Sequence, residues 1–229
     1  MLDQPELTIQ GWGPTGPDAE RTDPVGMLPA PARKHLSRAL GWTPRPTRPV
    51  AVDEIRLAAS RLADEARTAL VDLLGEEHVR TDRESRLRRA GGKSYLDLLR
   101  RREGDASDAP DAVVSPGTTE ETAALLALCS ELAVVVVPFG GGTSVVGGLS
   151  GMDPDDRPSV AVDLSRMSSV QSLDVPSSLV TVGPGMRGPA LELKHAYVSA
   201  RRALSPPQLF GGVFQLSRSD GAIMCRTTR

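Results

Sequence analysis

The sequence predicts an α+β fold, and three observations carry that expectation. The run Val134-Val135-Val136-Val137 passes through Pro138 and Phe139 into Gly140-Gly141-Gly142, which describes a β-branched, buried strand ending in a loop with exposed backbone. A strand-helix-strand unit of about thirty residues leads up to it, so its two strands should be parallel or near neighbours around a crossover helix. Beyond the loop the chain stops alternating and gives three consecutive strand-like segments, 159–164, 169–174 and 178–182. A doubly wound nucleotide fold would have continued with further strand-helix units.

Composition sets the outer limits. The chain has 229 residues, enough for one large domain or two small ones with a proper core. Lys plus Arg (27) nearly balances Asp plus Glu (29), and the net charge of −2 gives no general reason to expect nucleic acid or an acidic membrane as partner. Cys129 and Cys225 cannot build a disulfide framework, and no basic-then-apolar segment opens the chain. The apolar runs are too short to span a bilayer, so the expectation is a cytoplasmic protein with at most peripheral membrane contact.

Residues 1–50 are rich in Pro and Gly and read as an arm, with Trp12 and Trp42 pinning it to a neighbouring surface. Residues 51–104 read as a helical N-terminal extension. Ile55, Leu62, Ala66, Leu70 and Leu73 recur at helical spacing between Val52 and Leu74, and Gly75 supplies the stop. Residues 80–104 then hold nine bases against four acids. Without interleaved aromatics or a zinc or helix-turn-helix pattern, this basic cluster points to a solvated face or an anionic small ligand, not to nucleic acid. Within it, Tyr95-Leu96-Asp97-Leu98-Leu99 reads as a short buried turn of helix.

Residues 105–193 form the central unit. A strand at 112–115 is followed by Pro116-Gly117, and Thr118 with Glu121 makes a capping-box pair for a helix through Ala124, Leu125, Leu128 and Leu132. Cys129 lies on its apolar side as a small core residue. After the third strand-like segment, Gly183-Pro184-Gly185 turns the chain and Pro189 to Leu193 start another helix. His35, His78 and His195 have no carboxylate or cysteine at ligand or triad spacing, so they read as surface residues and no metal site is expected.

The glycine loop is the candidate site. Consecutive glycines can turn their N–H groups toward one concave point, which suits a pyrophosphate, and the Thr143 and Ser144 hydroxyls add donors. The bland alternative is a glycine-rich turn between strands. Three contiguous glycines with no helix directly behind them are neither the G-x-G-x-x-G fingerprint nor a P-loop.

Together, Pro110-Asp111-Ala112-Val113-Val114, Val137-Pro138-Phe139-Gly140-Gly141-Gly142-Thr143-Ser144, Asp163-Leu164-Ser165-Arg166-Met167 and Val182-Gly183-Pro184-Gly185 resemble the first α/β subdomain of the FAD-binding domain of the vanillyl-alcohol oxidase and p-cresol methylhydroxylase (PCMH) type. Upstream, Gly11-Trp12-Gly13 and Gly91-Gly92-Lys93-Ser94-Tyr95-Leu96-Asp97-Leu98-Leu99-Arg100 are similar to the alkylglycerone-phosphate synthase branch. The resemblance implies FAD with its pyrophosphate on the backbone amides of Phe139, Gly140, Gly141, Gly142, Thr143 and Ser144, with Pro138 fixing the entry and Gly185 close to the cofactor. Some relatives attach FAD through a histidine where this chain has Thr143, so binding is expected to be noncovalent. The branch exchanges a fatty acid for a fatty alcohol on a glycerone-phosphate skeleton without net redox. Other relatives oxidise 2-hydroxy acids of the lactate or glycolate type, and a non-catalytic remnant or an unrelated basic-face binding module are the remaining readings. The partners implied are a small-molecule or lipid-precursor substrate in the full-length family and a homodimer.

Residues 194–229 depart from that pattern. Residues 105–193 carry twelve acids and three bases, whereas the tail carries Asp220 against six bases. The tail therefore reads as frame-shifted or truncated sequence, with the C-terminal half of the family fold and its catalytic positions missing.

Overall fold

The computed structural model describes residues 8–11, 29–41, 49–174, 179–188, 190–191, 213–219 and 222–228. Two four-stranded sheets organise them. The first contains β1 (Val79–Arg80), β2 (Ala112–Val114), β3 (Val135–Phe139) and β4 (Ser159–Asp163), in the order β1-β2-β4-β3. β2 and β3 both run parallel to β4, and β1 is antiparallel to β2. The strand-helix-strand unit is thus parallel as expected, with β4 inserted between its two strands. All five residues of β4 are buried, as a central parallel strand requires. β3 lies at the sheet edge. Val137 and Phe139 are buried, Val135 and Val136 half-buried and Pro138 exposed, so the expectation of a buried strand holds for one face only, and an edge tolerates the proline's missing N–H.

Helices α1 (Ala30–Leu40), α2 (Asp64–Leu74), α3 (Arg83–Arg88), α4 (Tyr95–Arg102) and α5 (Thr119–Glu131) complete the described framework. Leu70 and Leu74 of α2 and Leu125 and Cys129 of α5 pack with Val79, Ala112, Val114, Val160 and Val162 into the main core. A second cluster joins Ile55, Leu87, Ala90, Ala106 and Ala109 beneath α3. The Thr118 side chain caps α5 by accepting from Glu121 N–H at 3.0 Å. The Glu121 carboxylate accepts in return from Gly117 N–H, at 2.7 Å, one residue ahead of the cap.

Three elements differ from the sequence reading. The helix expected from Val52 to Leu74 begins only at Asp64, because tertiary hydrogen bonds claim the backbone before it. Arg56 N–H donates to Gly104 O at 2.8 Å and Arg56 O accepts from Ala106 N–H at 3.1 Å, while Arg61 N–H donates to the buried Asp111 carboxylate at 2.8 Å. The 95–99 turn is helical but its apolar start is not buried. Tyr95 is 78% exposed, and the buried residues of α4 are Asp97 and Arg101. Helix α1 lies inside the arm, has a proline in its first turn and ends at Gly41 with φ 59°, and buries no residue. Trp12 and Trp42 fall outside the described residues.

The second sheet is antiparallel: β5 (Val170–Asp174), β6 (Leu179–Val182), β7 (Val213–Ser219) and β8 (Ala222–Thr228), in the order β5-β6-β8-β7. Its last two strands belong to the tail, to which the sequence reading assigned no element. Ser219 pairs with Ala222, and the Asp220-Gly221 dipeptide between them is the sequence signal of a two-residue hairpin.

Candidate functional site

The glycine loop leaves the C-terminal end of β3, and its three glycines have different reasons to be glycine. Gly142 has φ 69°, and a Cβ there would stand 2.5 Å from Cζ of the buried Phe139 ring, so the fold itself requires glycine. Gly141 has no positive φ and a Cβ on it would meet nothing within 4 Å. Gly140 would meet only the Pro184 carbonyl, at 4.0 Å. Gly141 lines a cleft together with Gly142, Phe139, Leu87, Ala90, Gly91, Gly92 and Ile9. Four cationic residues line it too, Arg88, Arg89, Lys93 and Arg187, and among the described residues no carboxylate does.

The opposite wall is built by the residues between α3 and α4. Lys93 N–H donates to Ser144 O at 2.7 Å, and a Cβ on Gly92 would stand 2.1 Å from that same oxygen. The far end of the glycine loop is thus locked to the 91–93 turn by direct backbone contact. Asp97 holds the turn from below, accepting from Gly92 N–H and Ser94 N–H at 3.3 Å each, and Ser94 Oγ completes the capping box by accepting from Asp97 N–H at 3.1 Å.

Arg89 ties three elements together. Its Nε donates to the buried Asp163 carboxylate at the end of β4, at 2.8 Å, and its guanidinium carbon lies 5.3 Å from the centroid of the Phe139 ring, a cation–π arrangement. Lys93 is 9% exposed. Its Nζ donates to Thr8 O, and burial, followed by the like charge of Arg101, pulls its pKa down to about 8. Arg101 is itself buried against Asp108 and donates from Nε to Ala90 O at 3.3 Å. Arg86 is also buried, donating to Pro110 O at 2.7 Å. The basic cluster of residues 80–104 is therefore only in part a solvated face: Arg80, Arg83 and Arg100 are exposed, whereas Arg86, Lys93 and Arg101 are buried.

Of the residues expected at the site, Phe139, Gly141 and Gly142 line the cleft, and Gly140 sits beside the Pro184 turn. Pro138 and Thr143 are exposed, and Ser144 contributes its carbonyl to the lock with Lys93. Gly185 serves backbone packing: its N–H donates to Met167 O at 3.1 Å, and a Cβ on it would stand 1.8 Å from Leu164 O. Its turn brings Arg187 into the cleft. Arg88, Arg89, Lys93 and Arg187 were not singled out as site residues by sequence, although three of them lie in the basic cluster for which an anionic ligand was one reading. His35 is exposed, His78 is half-buried beside Glu77, and His195 lies outside the described residues.

A cradle of backbone with an open Cβ position, faced by cations and by no carboxylate among the described residues, fits the diphosphate of a dinucleotide cofactor. The comparisons agree with the geometry. The model of the FAD binding domain family matches residues 110–212. The chain is 28% identical over 206 residues to an alkyldihydroxyacetonephosphate synthase of Dictyostelium discoideum and 30% identical over 207 residues to that of Trypanosoma brucei brucei, each match covering 82% of this chain. It spans about a third of the length of these relatives, 34% and 33%. A solved structure of an alkyldihydroxyacetonephosphate synthase superposes with a TM-score of 0.69 at 26% identity, covering 84% of this chain and 39% of that one. A mitochondrial D-lactate dehydrogenase of Arabidopsis thaliana is 37% identical over 81 residues, which is 35% of this chain and 14% of that protein. The chain carries part of an FAD-binding domain of the p-cresol methylhydroxylase type, and over most of its length it is similar to alkyldihydroxyacetonephosphate synthases.

Proposed function

We propose that this chain binds FAD noncovalently and seats the pyrophosphate on the backbone amides of the glycine loop, Phe139 to Ser144. The observation that carries the reading is Gly141. Neither its φ nor its packing needs glycine, and it lies on the cleft wall facing four cations, so a ligand that must approach backbone closely explains the residue. Phe139 fixes the loop from below, and Arg89 with Asp163 fixes Phe139. Thr143 has a hydroxyl where some relatives use a histidine, and a hydroxyl does not form that covalent bond to the flavin.

The flavin, when bound, supplies the reactive ring, and the protein supplies its position and electrostatics. For the longer protein we favour synthase-like exchange on a glycerone-phosphate skeleton over oxidation of a 2-hydroxy acid. The synthase matches cover 82% of the chain, so they necessarily include residues 83–102, which build the second wall of the cleft. The D-lactate dehydrogenase match covers 35%.

The test is to reconstitute the wild-type chain and Gly141→Val with FAD, remove free flavin and record the flavin absorbance. Wild type should retain flavin and release all of it on acid precipitation, and the variant should retain none. Equal retention by both chains refutes the site, and colour that stays with the precipitate refutes noncovalent binding.

A further inference from the structure

The wall opposite the glycine loop lies outside the matched FAD binding domain, residues 110–212, yet it contains a buried ammonium that makes no ion pair among the described residues. Arg88 pairs with Glu84, Arg89 with Asp163 and Arg101 with Asp108. Lys93 differs. It is 9% exposed, the one hydrogen-bond partner of its ammonium among the described residues is the neutral Thr8 carbonyl, and it makes no ion pair there. The charges facing it are the guanidinium of Arg101 from α4 and, around the same cleft, those of Arg88, Arg89 and Arg187; of the nearby carboxylates, Asp97 accepts from the 92–94 turn, and Asp108 pairs with Arg101 through one oxygen while its other, buried oxygen has no hydrogen-bond partner among the described residues.

A buried ammonium without a counter-ion is costly, and proteins keep such groups paired or where a ligand brings the charge. Lys93 is also held in register with the loop, because its own N–H is bonded to Ser144 O and Gly92 packs on that oxygen. We infer that the Lys93 ammonium is a diphosphate-binding residue, which closes on the cofactor's diphosphate from the side opposite the glycine loop, so that residues 83–102 form part of the cofactor site. The inference rests on the FAD reading for the identity of the ligand but not for the existence of the anion site. The shared chemistry is a phosphate, which could come from the cofactor's diphosphate or from a phosphate monoester substrate, and the two are separable.

The experiment titrates the full 229-residue chain, Lys93→Met and Lys93→Arg with FAD, ADP, inorganic pyrophosphate and glycerol phosphate, with circular dichroism as the check on folding. Lys93→Met should weaken FAD, ADP and pyrophosphate about 10- to 100-fold, the range for losing one charge-assisted contact, and Lys93→Arg should restore most of the loss. A measurement on wild type alone guards against a misfolded variant. Bringing an anion to Lys93 raises its proton affinity, so FAD binding between pH 8 and 9 should take up protons, as read by calorimetry in two buffers of unlike ionisation enthalpy. Lys93→Met binding FAD as tightly as wild type, zero proton uptake, or a loss confined to glycerol phosphate would each overturn the inference and leave FAD binding intact. Wild type that ignores FAD but binds pyrophosphate through Lys93 would overturn the flavin reading and keep the anion site. A chain that binds neither would overturn both.

Discussion

Replacing Gly141 and Gly142 in turn by alanine should separate the ligand's demands from the fold's. At Gly141 a methyl group meets nothing within 4 Å and the backbone is not left-handed. The substitution should therefore act on the unfolded chain alone and stabilise the ligand-free protein by about 0.4–1 kcal/mol. At about 2–4 °C per kcal/mol for a domain of this size, that is a rise in Tm of up to about 4 °C. On the proposed seating, the same methyl would occupy the space a phosphate oxygen needs in order to reach the loop amides. Losing one charge-assisted hydrogen bond costs about 1.5–3 kcal/mol, so FAD affinity should fall about 10- to 100-fold.

Gly142→Ala should do the reverse in the ligand-free protein. Its φ of 69° costs a non-glycine residue about 1–2 kcal/mol, and a Cβ 2.5 Å from the Phe139 ring adds an overpacking cost of about 1–3 kcal/mol. Thermal melts without FAD, followed by fluorescence titration of FAD into each folded variant, measure both quantities. The reasoning is refuted if Gly141→Ala lowers Tm as much as Gly142→Ala does, or if Gly141→Ala raises Tm and binds FAD like wild type.

Further outcomes follow from the same geometry. Gly185→Ala, whose Cβ would lie 1.8 Å from Leu164 O, should destabilise the chain by at least the overpacking cost of about 1–3 kcal/mol; a variant with unchanged denaturant midpoint would show that the 183–187 turn is not packed against residues 164–167. Asp108→Ala strands the buried Arg101 guanidinium and should cost about 3–5 kcal/mol in chemical denaturation, whereas a loss below 1 kcal/mol would mean that water reaches the pair. Lys93 has a folded pKa near 8 against an ordinary 10.5, so between those values the unfolded chain binds the extra proton and stability rises with pH. Below pH 8 the penalty for burying the charge is fully present. Ligand-free wild type should therefore gain stability from pH 8 to 10, and Lys93→Met should lose that gain; parallel pH profiles would remove Lys93 as its source.

The parts of this molecule legible in the sequence are those where local pattern and tertiary structure agree. The strand at Ala112–Val114, the Thr118 cap, the helix it starts and the strand before the glycines all follow from periodicity and capping chemistry. Residues 52–63 were illegible because their apolar spacing is helical while their hydrogen bonds are made with residues 104–111, far along the chain. Residues 80–104 misled in the other direction. A run of nine bases suggests exposed charge, but the buried acceptors that take in Arg86 and Arg101, Pro110 O and the Asp108 carboxylate, lie in a segment that shows its role only once folded. The Gly91-Gly92-Lys93 turn was visible as a resemblance; that it forms a wall of the candidate site follows from one backbone contact, Lys93 N–H to Ser144 O.

The glycines show why the site itself needs coordinates. In the sequence Gly92, Gly140, Gly141, Gly142, Gly183 and Gly185 have equal standing, because each flanks a strand or a turn. Geometry divides them. Gly92, Gly183 and Gly185 have another segment's carbonyl oxygen within 2.1 Å of where a Cβ would go, and Gly142 has the Phe139 ring at 2.5 Å, so these four are accounted for by packing and say nothing about a ligand. Gly140 and Gly141 have no such neighbour and no left-handed backbone. Packing and backbone conformation therefore leave these two positions open to the close approach of a ligand. Gly141 and Lys93 line the same cleft, and an anion bound between them would account at once for a glycine that packing does not require and for an ammonium that makes no ion pair among the described residues.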